Sequence, residues 1–236
     1  MIRKGYKTDR DLLFTITGQS NARGENTGTQ YSIHLTKQMS RVYIWTGSRF
    51  EQLHYLVNNN GGNHGAELNI GYLASKLTSG NVYIVKNATG GTNLAVDWAD
   101  GSMLWNNFVT AQNDAVNWLT AEGSDFNYIG NWWNQGEADA NNAGFAADYR
   151  VNLTGLVNRF KRDCISINEG WQFVTVRLSD KIAPVYANLA LVQEAQEEWK
   201  HVKINDLDLS FDGIHFLSDA QNEMGRRFIN KVINSI

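Results

Sequence analysis

Leu12-Leu13-Phe14-Thr15-Ile16-Thr17-Gly18-Gln19-Ser20-Asn21 sets a short apolar, β-rich run directly before a glycine and a cluster of small and amide residues. The run reads as a buried strand and the residues after it as a turn into a helix. Open α/β sheets gather their ligands at the carboxyl ends of their strands, so a serine at this turn faces the place where chemistry is done. Far along the chain, Asp212-Gly213-Ile214-His215 sets a carboxylate three positions before a histidine that can serve as the serine's base. Together the two segments suggest a serine hydrolase.

Outward from this stretch, short β-rich runs alternate with helical patterns, as parallel strands joined by crossover helices require. Five strands are expected, at Leu12 to Thr17, Val42 to Trp45, Val82 to Lys86, Tyr128 to Asn134 and Gln172 to Arg177. Helices are expected at Glu67 to Lys76, Phe108 to Trp118, Phe145 to Phe160, Val185 to Trp199 and Ser218 to Ile233. The last opens on Ser218-Asp219-Ala220-Gln221, which reads as a capping box. The single proline, Pro184, stands just before the first turn of a predicted helix. Asn58 to Gly65, rich in glycine and asparagine, reads as a loop.

With 236 residues and 42% hydrophobic content, the chain suits one α/β domain spanning 1–236. Its 21 basic and 24 acidic residues leave a formal charge of −3 without a basic stripe, which argues against nucleic acid as a partner. The lone Cys164 lies near Ile165 and Ile167 and reads as a small buried hydrophobe. No stretch is long and apolar enough to span a bilayer, and the first 17 residues lack the pattern of a secretory signal. A soluble monomer acting without membrane or cofactor is the expectation. His34, His54, His64 and His201 lack the paired spacing of a zinc site, so no metal is assigned.

Four segments fall just after predicted strands or near the C-terminus: Ser20, then Gly90-Gly91-Thr92, then Gln135-Gly136-Glu137, then Asp212 and His215. Each alone has an ordinary structural explanation, as an N-cap, a tight turn or a buried hydrogen bonder. Acyl transfer explains them jointly. A serine hydroxyl needs a base within reach, which His215 supplies, and the imidazole needs a carboxylate to fix its tautomer, which Asp212 supplies. The tetrahedral intermediate needs donors, for which the N–H groups of Ser20 and Gly91 and the side-chain amide of Gln135 are candidates.

These segments resemble the blocks of the SGNH (GDSL-type) hydrolases, in the sialate O-acetylesterase and acetylxylan esterase group. Gly18-Gln19-Ser20-Asn21 is similar to the nucleophile block, and Gly90-Gly91-Thr92-Asn93-Leu94 with Trp98 to the second. Trp133-Asn134-Gln135-Gly136-Glu137-Ala138-Asp139 resembles the third block, although Asn134 replaces a common histidine. Asp212-Gly213-Ile214-His215 resembles the terminal block, and His64-Gly65-Ala66-Glu67-Leu68 a Gly-Pro-Glu-Leu segment with alanine in place of proline. The resemblance implies a three-layer α/β/α sandwich of flavodoxin-like type around a mainly parallel sheet, a serine esterase mechanism, and removal of O-acetyl groups from carbohydrate. It also offers Glu137 as an alternative carboxylate for His215. Gln19, Asn21, Arg23, Trp98 and Trp133 are candidate substrate contacts; Arg23 could bind an acidic sugar, although a solvent-facing helix residue is the simpler reading. The alternatives are a catalytically silent carbohydrate-binding or structural module on the same fold, or a lipase or thioesterase.

Overall fold

The computed structural model describes residues 7–25, 38–57 and 64–233. His34 and the Asn58 to Asn63 part of the predicted loop lie outside them. Seven strands form one sheet: β1 (Asp11–Gly18), β2 (Val42–Trp45), β3 (Phe50–Gln52), β4 (Val82–Ala88), β5 (Phe126–Asn134), β6 (Gln172–Val176) and β7 (His201–Val202). Their order is β3-β2-β4-β1-β5-β6-β7. All pairings are parallel except β2 with β3. The five strands expected from sequence are present. The two additional ones, β3 and β7, span three and two residues, too short to carry a periodic signal.

Seven α-helices accompany the sheet among the described residues: α1 (Ser20–Arg23), α2 (Glu67–Ala74), α3 (Met103–Ala121), α4 (Glu137–Ala140), α5 (Ala143–Asp163), α6 (Leu189–Glu197) and α7 (Ser218–Ile233). Side-chain alternation along β1 divides the core. Leu12, Phe14 and Ile16 join Met224, Phe228 and Val232 of α7 and Leu68 and Ile70 of α2 on one face. Leu13 joins Phe108 and Leu119 of α3, Leu153 and Phe160 of α5 and Val192 of α6 on the other. The result is the three-layer α/β/α sandwich. A central parallel strand covered on both faces must be nearly continuously apolar, which is why β1 lacks a polar side. Thr15 and Thr17 are the exceptions, and both hydroxyls donate to Asn131 Oδ1, at 2.8 and 3.0 Å.

The capping box expected at α7 does not close. Gln221 Oε1, which would accept from the first N–H of the box, has no partner among the described residues, while Nε2 donates to the Asn21 carbonyl at 3.0 Å. A tertiary bond to the turn after β1 has taken the side chain that local capping would use. Helix α6 starts later than predicted, because Pro184 falls in the turns between a 3₁₀ segment (Asp180–Ile182) and Leu189.

One buried ion pair fastens the sheet to α2. Lys86 Nζ lies 2.9 Å from Glu67 Oε2, with the two side chains 1% and 0% exposed. Glu67 also accepts from Gly65 N at 2.9 Å, and Lys86 donates to the Arg23 carbonyl at 2.9 Å. Burial of Lys86 pushes its pKa down, opposed by the adjacent Glu67 carboxylate. Breaking such a pair strands a charge, so Lys86→Met should cost about 3–5 kcal/mol in urea unfolding, and Lys86→Met/Glu67→Leu should recover part of the loss.

Candidate active site

The sheet order places β4 and β5 on either side of β1, so three predicted segments emerge side by side at the carboxyl ends of three central strands. Strand β1 ends at Gly18, whose φ is +138°; a Cβ there would stand 2.1 Å from the Asn134 carbonyl oxygen. Only glycine lets the strand run so close to β5. Gln19 N then donates to that same oxygen at 2.9 Å, and Ser20 opens α1 with 5% exposure.

Gly91 follows β4 with φ +70°, and nothing lies within 4 Å of where its Cβ would be. Its loop is held from below by Asp139, which accepts from Leu94 N at 2.9 Å and Ala95 N at 3.3 Å. Burial raises the pKa of Asp139, while these backbone N–H groups and Gln135 favour its ionised form. Among the described residues the backbone N–H groups of Ser20 and Gly91 have no acceptor.

The fourth segment arrives from the far end of the chain. An antiparallel bridge between Leu209 and Phe216 closes a tight loop, reinforced by Ser210 N donating to the His215 carbonyl at 2.6 Å. Inside it, Asp212 Oδ1 accepts from Ser210 Oγ at 2.8 Å and from Ile214 N and His215 N, each at 2.9 Å. That leaves Oδ2 for His215 Nδ1, at 2.7 Å. Four donors on one carboxylate fix the imidazole plane.

Asn21 joins this loop to α1. Its Nδ2 donates to Glu137 Oε1 at 2.8 Å and to the Ile214 carbonyl at 3.3 Å, and its Oδ1 accepts from Phe216 N at 3.2 Å. Glu137 is 1% exposed, and its Oε2 has no partner among the described residues. Burial pushes its pKa up, partly offset by the bond from Asn21. In this geometry Asp212, and not Glu137, touches His215.

Ser20, Gly91 and His215 line one cleft of about 400 Å³, together with Gln19, Glu25 and Tyr186. Gln19 Oε1 turns inward to Gly136 N at 3.3 Å. Several predicted residues lie elsewhere. Gln135 is fully buried, and its amide nitrogen donates to the Thr92 carbonyl and Asp139, so both its N–H bonds are committed and it braces the second block instead of facing an oxyanion. Trp98 and Trp133 are both 0% exposed and pack edge to face against each other at 5.3 Å, so neither can stack on a sugar. Asn21 has spent its side chain on the three contacts above. Arg23 Nη1 engages Glu25 at 3.0 Å. Asn134 packs toward Met224 Sδ, 4.0 Å away, and not into the cleft. Sequence reading missed Glu25, Tyr186 and Asn141, which belong to no motif and reach the cleft through loops. It also missed Phe211, 94% exposed one residue before Asp212.

A serine, an oriented histidine and two backbone amides thus meet at the carboxyl ends of the central parallel strands of an α/β/α sandwich. The sequence matches the family described as "Carbohydrate esterase, sialic acid-specific acetylesterase" over residues 10–234, and the chain belongs to that family. It is a carboxylic ester hydrolase acting on carbohydrate acetyl groups. Among solved structures it is similar to a protein from Arabidopsis thaliana, with a TM-score of 0.79 at 19% identity over 94% of this chain and 98% of that one. NanS superimposes with a TM-score of 0.75 at 14% identity, over 97% of this chain and 98% of that one. A carbohydrate acetylesterase from Xanthomonas citri gives 0.60 at 17% identity, covering 92% of this chain and 54% of that one. These likenesses show the shared fold. No match among curated protein sequences was found.

His64 is buried outside the cleft. Its Nε2 lies 3.3 Å from Ser218 Oγ at the start of α7. Burial, then the Lys86 charge, pulls its pKa down from 6.5 to about 4. Between these values the unfolded chain binds a proton that the folded chain does not, so stability should fall as pH drops from about 6.5 to 4. Urea midpoints measured across this window should show a shallower decline in His64→Gln than in the wild type.

Proposed function

We propose that the protein removes O-acetyl groups from carbohydrate through a Ser20-His215-Asp212 triad and an acetyl-enzyme intermediate. The observation that carries this reading is the Asp212 carboxylate, held by three donors so that its remaining oxygen meets His215 Nδ1 at 2.7 Å, on a loop lining the same cleft as Ser20. With Nδ1 held by Asp212, Nε2 is the nitrogen that acts as base.

In the first step Ser20 Oγ attacks the acetyl carbonyl carbon as its proton passes to His215 Nε2. The carbonyl oxygen becomes an oxyanion, which the N–H groups of Ser20 and Gly91 accommodate. Asp212 stabilises the imidazolium without taking its proton. The tetrahedral intermediate then expels the sugar oxygen, which takes the proton from Nε2, leaving acetyl on Ser20. Water, deprotonated by the same nitrogen, attacks that acetyl group, and acetate leaves as Ser20 recovers its proton. Glu137 acts at one remove in this scheme, through Asn21, by fixing the loop that carries His215.

Acetate release from acetylated xylan and other acetylated polysaccharides tests the scheme. Ser20→Ala should lower kcat by about a thousandfold or more, and Asp212→Asn by about 10⁴-fold, with circular dichroism unchanged. Glu137→Gln should stay within about tenfold of the wild type. A larger loss in Glu137→Gln than in Asp212→Asn would assign the orienting role to Glu137.

A further inference from the structure

Glu25 stands in the cleft with its position fixed from several sides. Its backbone N–H donates to the Ser20 carbonyl at 3.0 Å, which ties it to the nucleophile turn. Its Oε1 lies 3.0 Å from Arg23 Nη1, and its Oε2 lies 3.8 Å from His215 Nε2. The carboxylate also rests on the second block, so closely that a Cβ at Gly90 would come within 2.4 Å of Oε1. Arg23 offsets part of the charge on the Oε1 side, and the half-buried Oε2 is the oxygen that faces His215 and the cleft.

We infer that Glu25 selects the substrate by charge, making the cleft one for neutral O-acetylated sugars and against sugars that carry a carboxylate. The inference rests on the esterase reading above, in which His215 Nε2 hands its proton to the departing sugar oxygen. The sugar must then lie against Nε2, and therefore beside a fixed carboxylate. A neutral sugar presents hydroxyl groups that can donate to Glu25. An anionic sugar brings a like charge to within a few ångströms of it, a repulsive element of the kind that creates specificity. Among the described residues lining the cleft none is lysine or arginine, so none there offers a carboxylate the bidentate partner it prefers. Arg23, the nearest candidate for that role from sequence, is turned onto Glu25 itself. The family's name points to sialic acids, which are anionic, and in this chain Glu25 opposes them.

The test compares an anionic and a neutral acetate ester built on one nitrophenyl frame, 5-acetoxy-2-nitrobenzoate and its methyl ester, with nitrophenolate release as the readout and each corrected for its spontaneous hydrolysis. Wild-type protein should prefer the neutral ester by about tenfold in kcat/KM, and 0.5 M sodium chloride should shrink the preference. In Glu25→Gln the ratio should fall to about one, and in Glu25→Lys it should invert. A ratio within twofold of the wild type in both variants, or no wild-type preference at low salt, would overturn the inference. Acetylated xylan and O-acetylated sialic acid, assayed in parallel with Ser20→Ala, keep the two readings apart. Ser20-dependent release that is faster from xylan supports the inference, and faster release from sialic acid overturns it. If neither sugar is cleaved while the chromogenic pair still obeys the charge of residue 25, the sugar reading fails and the charge filter itself stands.

Discussion

The buried amide of Asn21 is the contact on which the site depends. It lies 193 and 195 residues from two of its partners, Ile214 and Phe216, and binds both while also donating to Glu137. A buried amide left unpaired costs about 1–3 kcal/mol, so each lost bond weakens the join between α1 and the histidine loop. Through this one side chain the nucleophile turn, the third block and the terminal block hold a single relative position. The bond from Gln221 to the Asn21 carbonyl extends the same join into α7.

Around that join, polar groups are used to brace loops more than to face substrate. Asp139 and Gln135 hold the Gly91 loop from beneath, and Tyr149 donates to the Gln135 carbonyl at 3.0 Å. Lys86 and Glu67 hold the end of α1 from the opposite layer. Among the described residues, the polar groups facing the cleft are the Ser20 hydroxyl, two backbone amides, an imidazole, the Tyr186 phenol, the Glu25 carboxylate and Asn141. Burial and the nearby carboxylates Glu137 and Asp212 raise the pKa of Tyr186, which keeps it a neutral hydrogen-bonding wall. Preorganisation of this kind places the cost of ordering in the fold, so that little is left to be ordered during reaction.

The sequence and the site agree best where a residue's role is local. The Ser20 turn needs a strand and a glycine, both visible in the chain, and Asp212 reaches His215 within one tight loop. They part where a motif residue serves the interior. Gln135, Trp98 and Trp133 stand in recognisable blocks, yet all three are buried, because a block marks proximity to the site and not the direction of each side chain. Strand alternation correctly separates Trp132 from Trp133, which enter opposite cores, but it does not say which core touches the cleft.

From the sequence alone follow the α/β class, the five longer strands, the helices between them, and Ser20, Gly91, Asp212 and His215 as the residues to watch. These rest on periodicity, turn chemistry and short spacings, all of which are properties of neighbouring residues. The tertiary structure alone decides that Asp212 and not Glu137 meets His215, that Gln135 is spent on bracing, and that Glu25 shares the cleft. Each of these turns on the strand order β4-β1-β5 and on a loop returning from the far end of the chain. Distances between segments so far apart are set by packing, which no local pattern encodes.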